Sequence, residues 1–171
     1  MTERRTRKNS LRLQGYDYRS PGYYFVTILS FQRQEIFSKV IDKKVNLTNL
    51  GKIIQRHWLS IPTKKPGFDI DAFVIMPNHI HAIIRILNNP RIRKDDNSAV
   101  PFAKADSLSV LIRTFKGSVT KSVRKELGSA PPQIWHRSFN DHIIRDSEAL
   151  DTIRFYIKSN PWRWDNERDI Y

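Results

Sequence analysis

Runs of apolar and β-branched residues predict three strands in the first half of the chain. Residues 23–31 are apolar on both alternating faces, which is typical of a central strand covered on both sides. Residues 68–76 and 78–86 form two further runs, separated only by Pro77-Asn78. Because the join is so short, we expect the second and third strands to form an antiparallel hairpin.

Apolar residues at helical spacing predict three helices. The first has its apolar stripe over residues 47–61 and stops before Pro62. The second is a long helix over residues 108–127, which follows a predicted loop at 88–106. The third begins near Asp146-Ser147, a capping pair, and is expected to stop at Asn160-Pro161. A short apolar run at 134–139 predicts one more strand before this last helix.

The resulting order is strand, helix, hairpin, helix, strand and helix. This order predicts an α+β fold, and a ferredoxin-like antiparallel sheet flanked by α-helices satisfies it. The 171 residues fit a single domain. We predict a basic N-terminal arm at 1–20, one folded domain at 21–165 and a short tail at 166–171.

Charge is the feature of the composition that narrows the function. The 30 Lys and Arg exceed the 17 Asp and Glu, so the net charge is +13. A chain this basic attracts polyanions, usually nucleic acid. We predict contacts to DNA phosphates in the arm and on the long helix, and solvation without any contact is an equal alternative for each of these residues. The candidates are Arg4, Arg5, Arg12, Arg113, Lys116 and Lys121.

The chain contains no cysteine, so disulfides and thiolate metal sites are excluded. No run of about eighteen apolar residues is present, which argues against a membrane span. The basic N-terminus lacks the apolar segment of a signal peptide. A cytoplasmic protein with no membrane partner is therefore expected.

Two histidines lie on one face of the third predicted strand. Side chains alternate along a strand, so His79 and His81 point the same way while Ile80 and Ala82 belong to the core. Neutral imidazoles two residues apart can converge on one divalent cation. The alternative is that two polar residues occupy the less buried face of the sheet, and the pair alone leaves both interpretations open.

Tyr156 and Asn160 lie one turn apart on the last helix. A phenol ionises more readily than an alcohol, so a nearby base or cation can convert Tyr156 to a nucleophile. Its attack on DNA would leave a phosphotyrosine, which conserves the energy needed to rejoin the strand. The alternatives are a tyrosine at the edge of the core and a helix-ending asparagine. Among the six tyrosines, only Tyr156 combines a helix with a ligand-type neighbour.

Several other aromatic and histidine side chains are candidates for a functional role. Stacking on unpaired bases is possible for four aromatics, although packing in the core is the favoured interpretation. For His136 and His142 a structural role is favoured over one in orienting a phosphate or a metal ligand. His57 is expected at the surface. The four aromatics are Trp135, Phe139, Trp162 and Trp164.

The motifs at these positions resemble a known family when taken together. The segment 76–81, Met-Pro-Asn-His-Ile-His, is similar to the HUH signature of single-tyrosine transposases. The segment 156–161, Tyr-Ile-Lys-Ser-Asn-Pro, resembles their C-terminal tyrosine motif, and 21–27 resembles their first strand. The similarity extends over roughly residues 15 to 165, in the family's order. The branch it matches best is that of the REP-associated tyrosine transposases.

This resemblance implies a specific activity and site. The implied enzyme cleaves and rejoins single-stranded hairpin DNA through a 5′-phosphotyrosine on Tyr156, with His79 and His81 as ligands of Mg²⁺ or Mn²⁺. Asn160 is implied as the third ligand, although insertion-sequence members usually carry glutamine there. Both monomers and homodimers occur among such proteins. Two alternatives stay open: a non-catalytic protein that binds single-stranded hairpins, and a rolling-circle type of HUH endonuclease.

Overall fold

A computed structural model describes residues 17–87, 107–128 and 133–164 of the chain. Within them, six strands and four helices follow one another, with a short 3-10 helix at Phe31–Arg33. The strands are β1 (Gly22–Leu29), β2 (Ser38–Ile41), β3 (Lys44–Leu47), β4 (Phe68–Ile75), β5 (His79–Ile86) and β6 (Asn140–Ile144). The helices are α1 (Asn49–Leu59), α2 (Ile61–Lys64), α3 (Leu108–Leu127) and α4 (Ser147–Arg163).

A four-stranded antiparallel sheet in the order β4-β5-β1-β6 forms the centre of the molecule. The chain enters α1 between β1 and β4, and α3 between β5 and β6. This connectivity is the ferredoxin-like one, in which the first and third strands of the fold are neighbours at the middle of the sheet. The predicted α+β class, the 68–76 and 78–86 hairpin, and the long helix at 108–127 are confirmed.

The main core lies between one face of this sheet and helices α1 and α3. Tyr24, Val26 and Ile28 of β1 are fully buried there. They stand in register with Ile84, Ala82 and Ile80 of β5. Because side chains alternate along a strand, the intervening residues face the opposite side of the sheet, where α4 packs. That second side contains the candidate functional residues.

Capping residues fix where the helices begin. The Thr48 hydroxyl accepts from Gly51 N at α1, and Asp146 accepts from Ala149 N at 2.7 Å at α4, as its sequence predicted. In the described segments, no helix is both long enough and apolar enough to cross a bilayer.

The strands differ from expectation in two places. The predicted strand at 134–139 is an irregular segment with one bridge between Trp135 and Ser30, and β6 lies at Asn140–Ile144 instead. Apolar residues such as Ile134 are buried there without belonging to the sheet. The hairpin of β2 and β3 was not predicted. Its two turn residues, Asp42 and Lys43, have positive φ angles without the usual glycine or asparagine.

The end of α4 and the position of His57 also differ from expectation. Helix α4 continues through Pro161 to Arg163. A proline in the last turn removes only one hydrogen bond, so the helix need not stop before it. His57 is half-buried between α1 and α3, where its Nε2 lies 2.8 Å from the hydroxyl of Ser122.

Candidate active site

His79 and His81 lie side by side on the face of β5 that is turned towards α4. Their ring centroids are 4.3 Å apart, and His81 is 8% exposed. The register pairs His81 with Thr27 and His79 with Leu29 on β1. The alternation read from the sequence therefore holds, and both imidazoles converge as expected.

The Nδ1 atoms of both imidazoles have polar partners. Nδ1 of His79 lies 2.7 Å from Oδ1 of Asn78, and Nδ1 of His81 lies 2.9 Å from the hydroxyl of Thr27. Because an amide oxygen only accepts, His79 donates its Nδ1 proton to Asn78 and keeps the lone pair on Nε2. This Nε2 atom is buried and has no hydrogen-bond partner of normal geometry within the described residues.

Burial keeps both imidazoles neutral. Loss of hydration lowers the pKa of His79 to about 4, with a smaller effect from Arg33 and a partial offset from Asn160. Loss of hydration, with the charge of His79, lowers the pKa of His81 to about 2. Both rings are therefore uncharged at neutral pH, which is the form of imidazole that can act as a ligand or as a proton acceptor.

Helix α4 places Tyr156 beside His81. Leu150 and Ile157 of α4 pack on Ile83 of β5, with Ile153 partly buried beside them, as their stripe predicted. The Tyr156 hydroxyl then lies 3.3 Å from Nε2 of His81.

Two further side chains contact the phenol of Tyr156. The ring of Phe25 meets the phenol edge-on with 6.2 Å between the centroids. The guanidinium of Arg163 lies 5.9 Å from the centre of the phenol ring. The potential nucleophile Tyr156 therefore lies next to the imidazole of His81 and the guanidinium of Arg163.

Asn160 completes the set that the sequence predicted. It is 3% exposed, one turn beyond Tyr156 on α4, and close enough to His79 to favour the protonated form of that imidazole. Among the described residues, no three His, Cys, Asp or Glu side chains cluster. The available donor set is therefore two imidazoles and one amide.

A bidentate ion pair fixes α4 to the edge of the sheet. Nε and Nη2 of Arg154 lie 2.7 Å and 2.5 Å from the two carboxylate oxygens of Asp71 on β4. Nη1 of Arg154 also contacts Asp151 on its own helix at 2.9 Å. Tyr156 is two residues from this pair, so the ion pair limits how α4 can slide over the sheet.

The predicted DNA-contacting residues differ in their surroundings. Arg113 and Lys121 are exposed on α3. The ammonium of Lys116 instead donates to the carbonyl oxygens of His136 and Ser138, and burial lowers its pKa to about 8. Lys116 therefore holds the segment before β6 in place. The positions of Arg4, Arg5 and Arg12 lie outside the described residues.

Three of the four aromatic candidates for base stacking pack inside the protein. Trp135 and Trp164 are each 7% exposed, and Phe139 packs against the main core. Trp162 is different, because 66% of it is exposed.

Two neighbours of the histidines were missed at the sequence level. Thr27 and Asn78 orient the imidazoles, yet no role was predicted for either. Asn78 lies beside His79 in the chain, so the adjacent amide was an available signal. Thr27 is 54 residues from His81 in the chain, and only the register of two strands relates them.

Comparisons with known proteins agree with this architecture. An uncharacterized protein of Haemophilus influenzae is 34% identical over 167 residues, covering 94% of this chain and 92% of its own length. A second protein of that organism, named "Putative REP-associated tyrosine transposase", is 29% identical over 147 residues, covering 85% of this chain and 73% of its own length. No family model matches the chain.

A solved structure shares the fold. The structure of a REP-associated tyrosine transposase bound to a REP hairpin superposes with a TM-score of 0.62 and 20% identity. The similarity covers 90% of this chain and 74% of that one. The chain therefore belongs to one family with its Haemophilus relative of 34% identity, and the resemblance to REP-associated tyrosine transposases predicted from its motifs is confirmed.

Proposed function

We propose that the chain is a transposase-type enzyme that binds single-stranded or hairpin DNA and cleaves and rejoins it through Tyr156. The observation that carries this proposal is the 3.3 Å approach of the Tyr156 hydroxyl to Nε2 of His81, beside the buried Nε2 of His79. The names of the second Haemophilus protein and of the solved structure support the same class of enzyme and substrate.

The residues of the site fit a divalent cation. A buried imidazole nitrogen with a free lone pair lacks a partner that a cation would supply. The Nε2 atoms of His79 and His81 and the amide oxygen of Asn160 would hold Mg²⁺ or Mn²⁺, and Asn78 and Thr27 would orient the two rings from behind. When bound, such a cation polarises the phosphate and stabilises the negative charge that develops on its oxygens.

In the proposed reaction Tyr156 is the nucleophile, and an ion pair holds its helix in position. The phenol oxygen of Tyr156 forms a bond to phosphorus while the bond from phosphorus to the 3′ oxygen of the preceding nucleotide breaks. The phenol loses its proton and the departing 3′ oxygen gains one, which leaves a free 3′ hydroxyl and a 5′-phosphotyrosine. Attack of a 3′ hydroxyl on the phosphotyrosine reverses these steps and rejoins the strand. Arg154 and Asp71 keep α4 in position throughout.

Covalent capture tests the proposal. A labelled single-stranded hairpin, incubated with the protein and Mn²⁺, is expected to give a protein–DNA adduct that survives denaturing electrophoresis. Tyr156→Phe should abolish the adduct and leave binding close to unchanged, because only the hydroxyl is lost. Tyr23→Phe, a change on the same face of the sheet, is the matched control and should still form the adduct. Adduct formation by Tyr156→Phe would show that another residue is the nucleophile.

The same experiment distinguishes the proposed enzyme from the main alternative function. Tight hairpin binding with no adduct in any divalent cation would favour a non-catalytic DNA-binding protein. His79→Ala should remove both adduct formation and its response to Mn²⁺, because one of the two imidazole ligands is lost.

A further inference from the structure

Two large aromatic side chains lie exposed on the helix that carries Tyr156. Phe155 is 65% exposed and Trp162 is 66% exposed, the highest values among the large hydrophobics of the described residues. They are seven residues apart, so they lie on one side of α4, separated by about 10 Å along its axis. Leu150 and Ile157, on another side of the helix, supply its contact with the sheet. Packing of α4 therefore does not account for Phe155 and Trp162.

Basic side chains accompany both rings. Lys158 follows Phe155 by three residues and is exposed on the same side of α4. Nζ of Lys43, from the turn between β2 and β3, lies 5.2 Å from the centre of the Trp162 ring. We call Phe155, Lys158, Trp162 and Lys43 the aromatic platform.

The charges around the aromatic platform favour an anionic occupant. Lys44 is exposed next to Lys43 and adds to its charge, against the single carboxylate of Asp42 in the same turn. Asp151, one turn before Phe155, is bound by Arg154. A second copy of this basic chain would bring like charge to this surface, whereas a nucleic acid strand would bring phosphates.

The aromatic platform is also next to the candidate active site. Phe155 precedes Tyr156 in the chain, and Arg163 follows Trp162 with its guanidinium 5.9 Å from the Tyr156 ring. A strand whose phosphate sits at the phenol can therefore continue along α4 and reach both exposed rings. Exposed aromatic rings with lysines between them bind unpaired bases by stacking, with little preference for sequence.

We propose that the aromatic platform binds the unpaired bases of a single DNA strand, with Phe155 and Trp162 stacking on bases and Lys43 and Lys158 contacting phosphates. This site rests on the proposed function, because a single-stranded substrate at Tyr156 supplies the occupant. It adds a base-stacking surface outside the set formed by Tyr156, the histidines and Asn160.

Two fluorescein-labelled probes isolate the stacking contribution. One is an oligodeoxythymidylate, which is suitable because stacking tolerates any base. The other is an abasic strand of the same length, which has the phosphates without the bases. Binding is measured by fluorescence anisotropy with EDTA present, so that no cleavage occurs. The protein should bind the thymidylate more tightly than the abasic strand, and Trp162→Ala and Phe155→Ala should each reduce this preference by roughly fivefold or more.

Matched variants and probes decide the outcome. Affinity for the abasic strand should not change in either alanine variant, and Trp162→Tyr should restore the preference because it keeps an aromatic ring. Leu59→Ala, at an apolar position on α1 that is 56% exposed, should behave as the unaltered protein. An undiminished preference for bases in Trp162→Ala and Phe155→Ala would overturn the proposal. A change of oligomeric state without that loss would assign the surface to self-association and also overturn it.

Failure here is distinguishable from failure of the proposed function. Covalent adduct formation is scored with Mn²⁺, and the preference for bases is scored in EDTA. A protein that forms the adduct but shows no platform-dependent preference retains the proposed function and loses this site. The reverse result retains a single-strand binding surface without the chemistry.

Discussion

Hydrogen bonds on the far side of each imidazole decide which nitrogen is available to a ligand. Nδ1 of His79 donates to Asn78, and the Thr27 hydroxyl meets Nδ1 of His81. With a phenol at Nε2 of His81, the same tautomer is favoured in both rings, because the phenol can donate there. Asn78 and Thr27 therefore favour the tautomer of each histidine in which Nδ1 carries the proton and Nε2 is available to a ligand.

Thr27→Val tests this effect on His81, because it removes only the hydroxyl that contacts Nδ1. The change keeps the shape of the side chain but leaves Nδ1 of the buried His81 without its partner, which should cost about 1–3 kcal/mol of unfolding free energy. Adduct formation should slow by roughly tenfold or more, because the partner behind a metal-binding histidine orients it. Urea unfolding and adduct kinetics measure the two effects. Thr27→Ser retains the hydroxyl, and a Ser variant as slow as Val would contradict this explanation.

Protonation of His79 predicts how stability depends on pH. Its pKa falls from 6.5 in the unfolded chain to about 4 in the folded protein. Between these values the unfolded chain binds the extra proton, so stability is lost as the pH falls from about 6.5 towards 4. The loss is at most about 3 kcal/mol. Urea unfolding should therefore be measured near neutral pH and near pH 5. Between these two pH values, the free energy of unfolding should decrease less for His79→Gln than for the unaltered protein. His142→Gln, at an exposed position, should decrease as the unaltered protein does.

The sequence was sufficient to predict which side chains lie together in the candidate site, but not which residues hydrogen-bond to the histidines. His79 and His81 share a face because strands alternate, and Tyr156 and Asn160 share a side because helices repeat every 3.6 residues. Both patterns are local. The partnership of Thr27 with His81 depends on the register between β1 and β5, which is set by packing of the whole sheet.

Helix α4 carries Tyr156 and Asn160, and the ion pair of Asp71 with Arg154 attaches this helix to the edge of the sheet. Neither residue of this ion pair was predicted to matter, because the two are 83 positions apart in the chain. The hairpin of β2 and β3 was missed for a related reason. Its strands are four residues each, and the Asp42-Lys43 turn lacks a glycine to indicate it.

Asp71→Asn should affect the reaction more than the fold. The pair is partly exposed, with 41% of the Arg154 side chain and 15% of the Asp71 side chain accessible, so we expect little change in thermal stability. Loss of the bidentate contact lets α4 shift relative to β5, and adduct formation should slow several-fold, since small displacements of a reacting group are costly. Asp151→Asn removes only the contact within the helix and should have a smaller effect. Equal slowing in both variants would contradict a role for the attachment of α4 to β4.

The proposed contacts with DNA are of two kinds that can be measured separately. The net charge of +13 attracts phosphates over a large surface and depends on salt. Stacking on Phe155 and Trp162 depends on bases and is nearly independent of salt. Two of the three ammonium donors of Lys116 are bound to the carbonyls of His136 and Ser138, and its contact with a DNA phosphate stays a prediction.

The salt dependence of binding distinguishes these contributions. For a single strand, the slope of log K against log salt changes by about 0.7 for each phosphate contact that is lost. We therefore expect Arg113→Ala and Lys121→Ala, both at exposed positions of α3, each to make the slope shallower by about that amount. Trp162→Ala should lower the affinity at every salt concentration and leave the slope unchanged, because no counterion is released by a stacked ring. Anisotropy titrations of the thymidylate probe over a series of salt concentrations give both quantities. An unchanged slope in both α3 variants would contradict phosphate contacts on α3, and a shallower slope for Trp162→Ala would contradict a role of that ring in stacking alone.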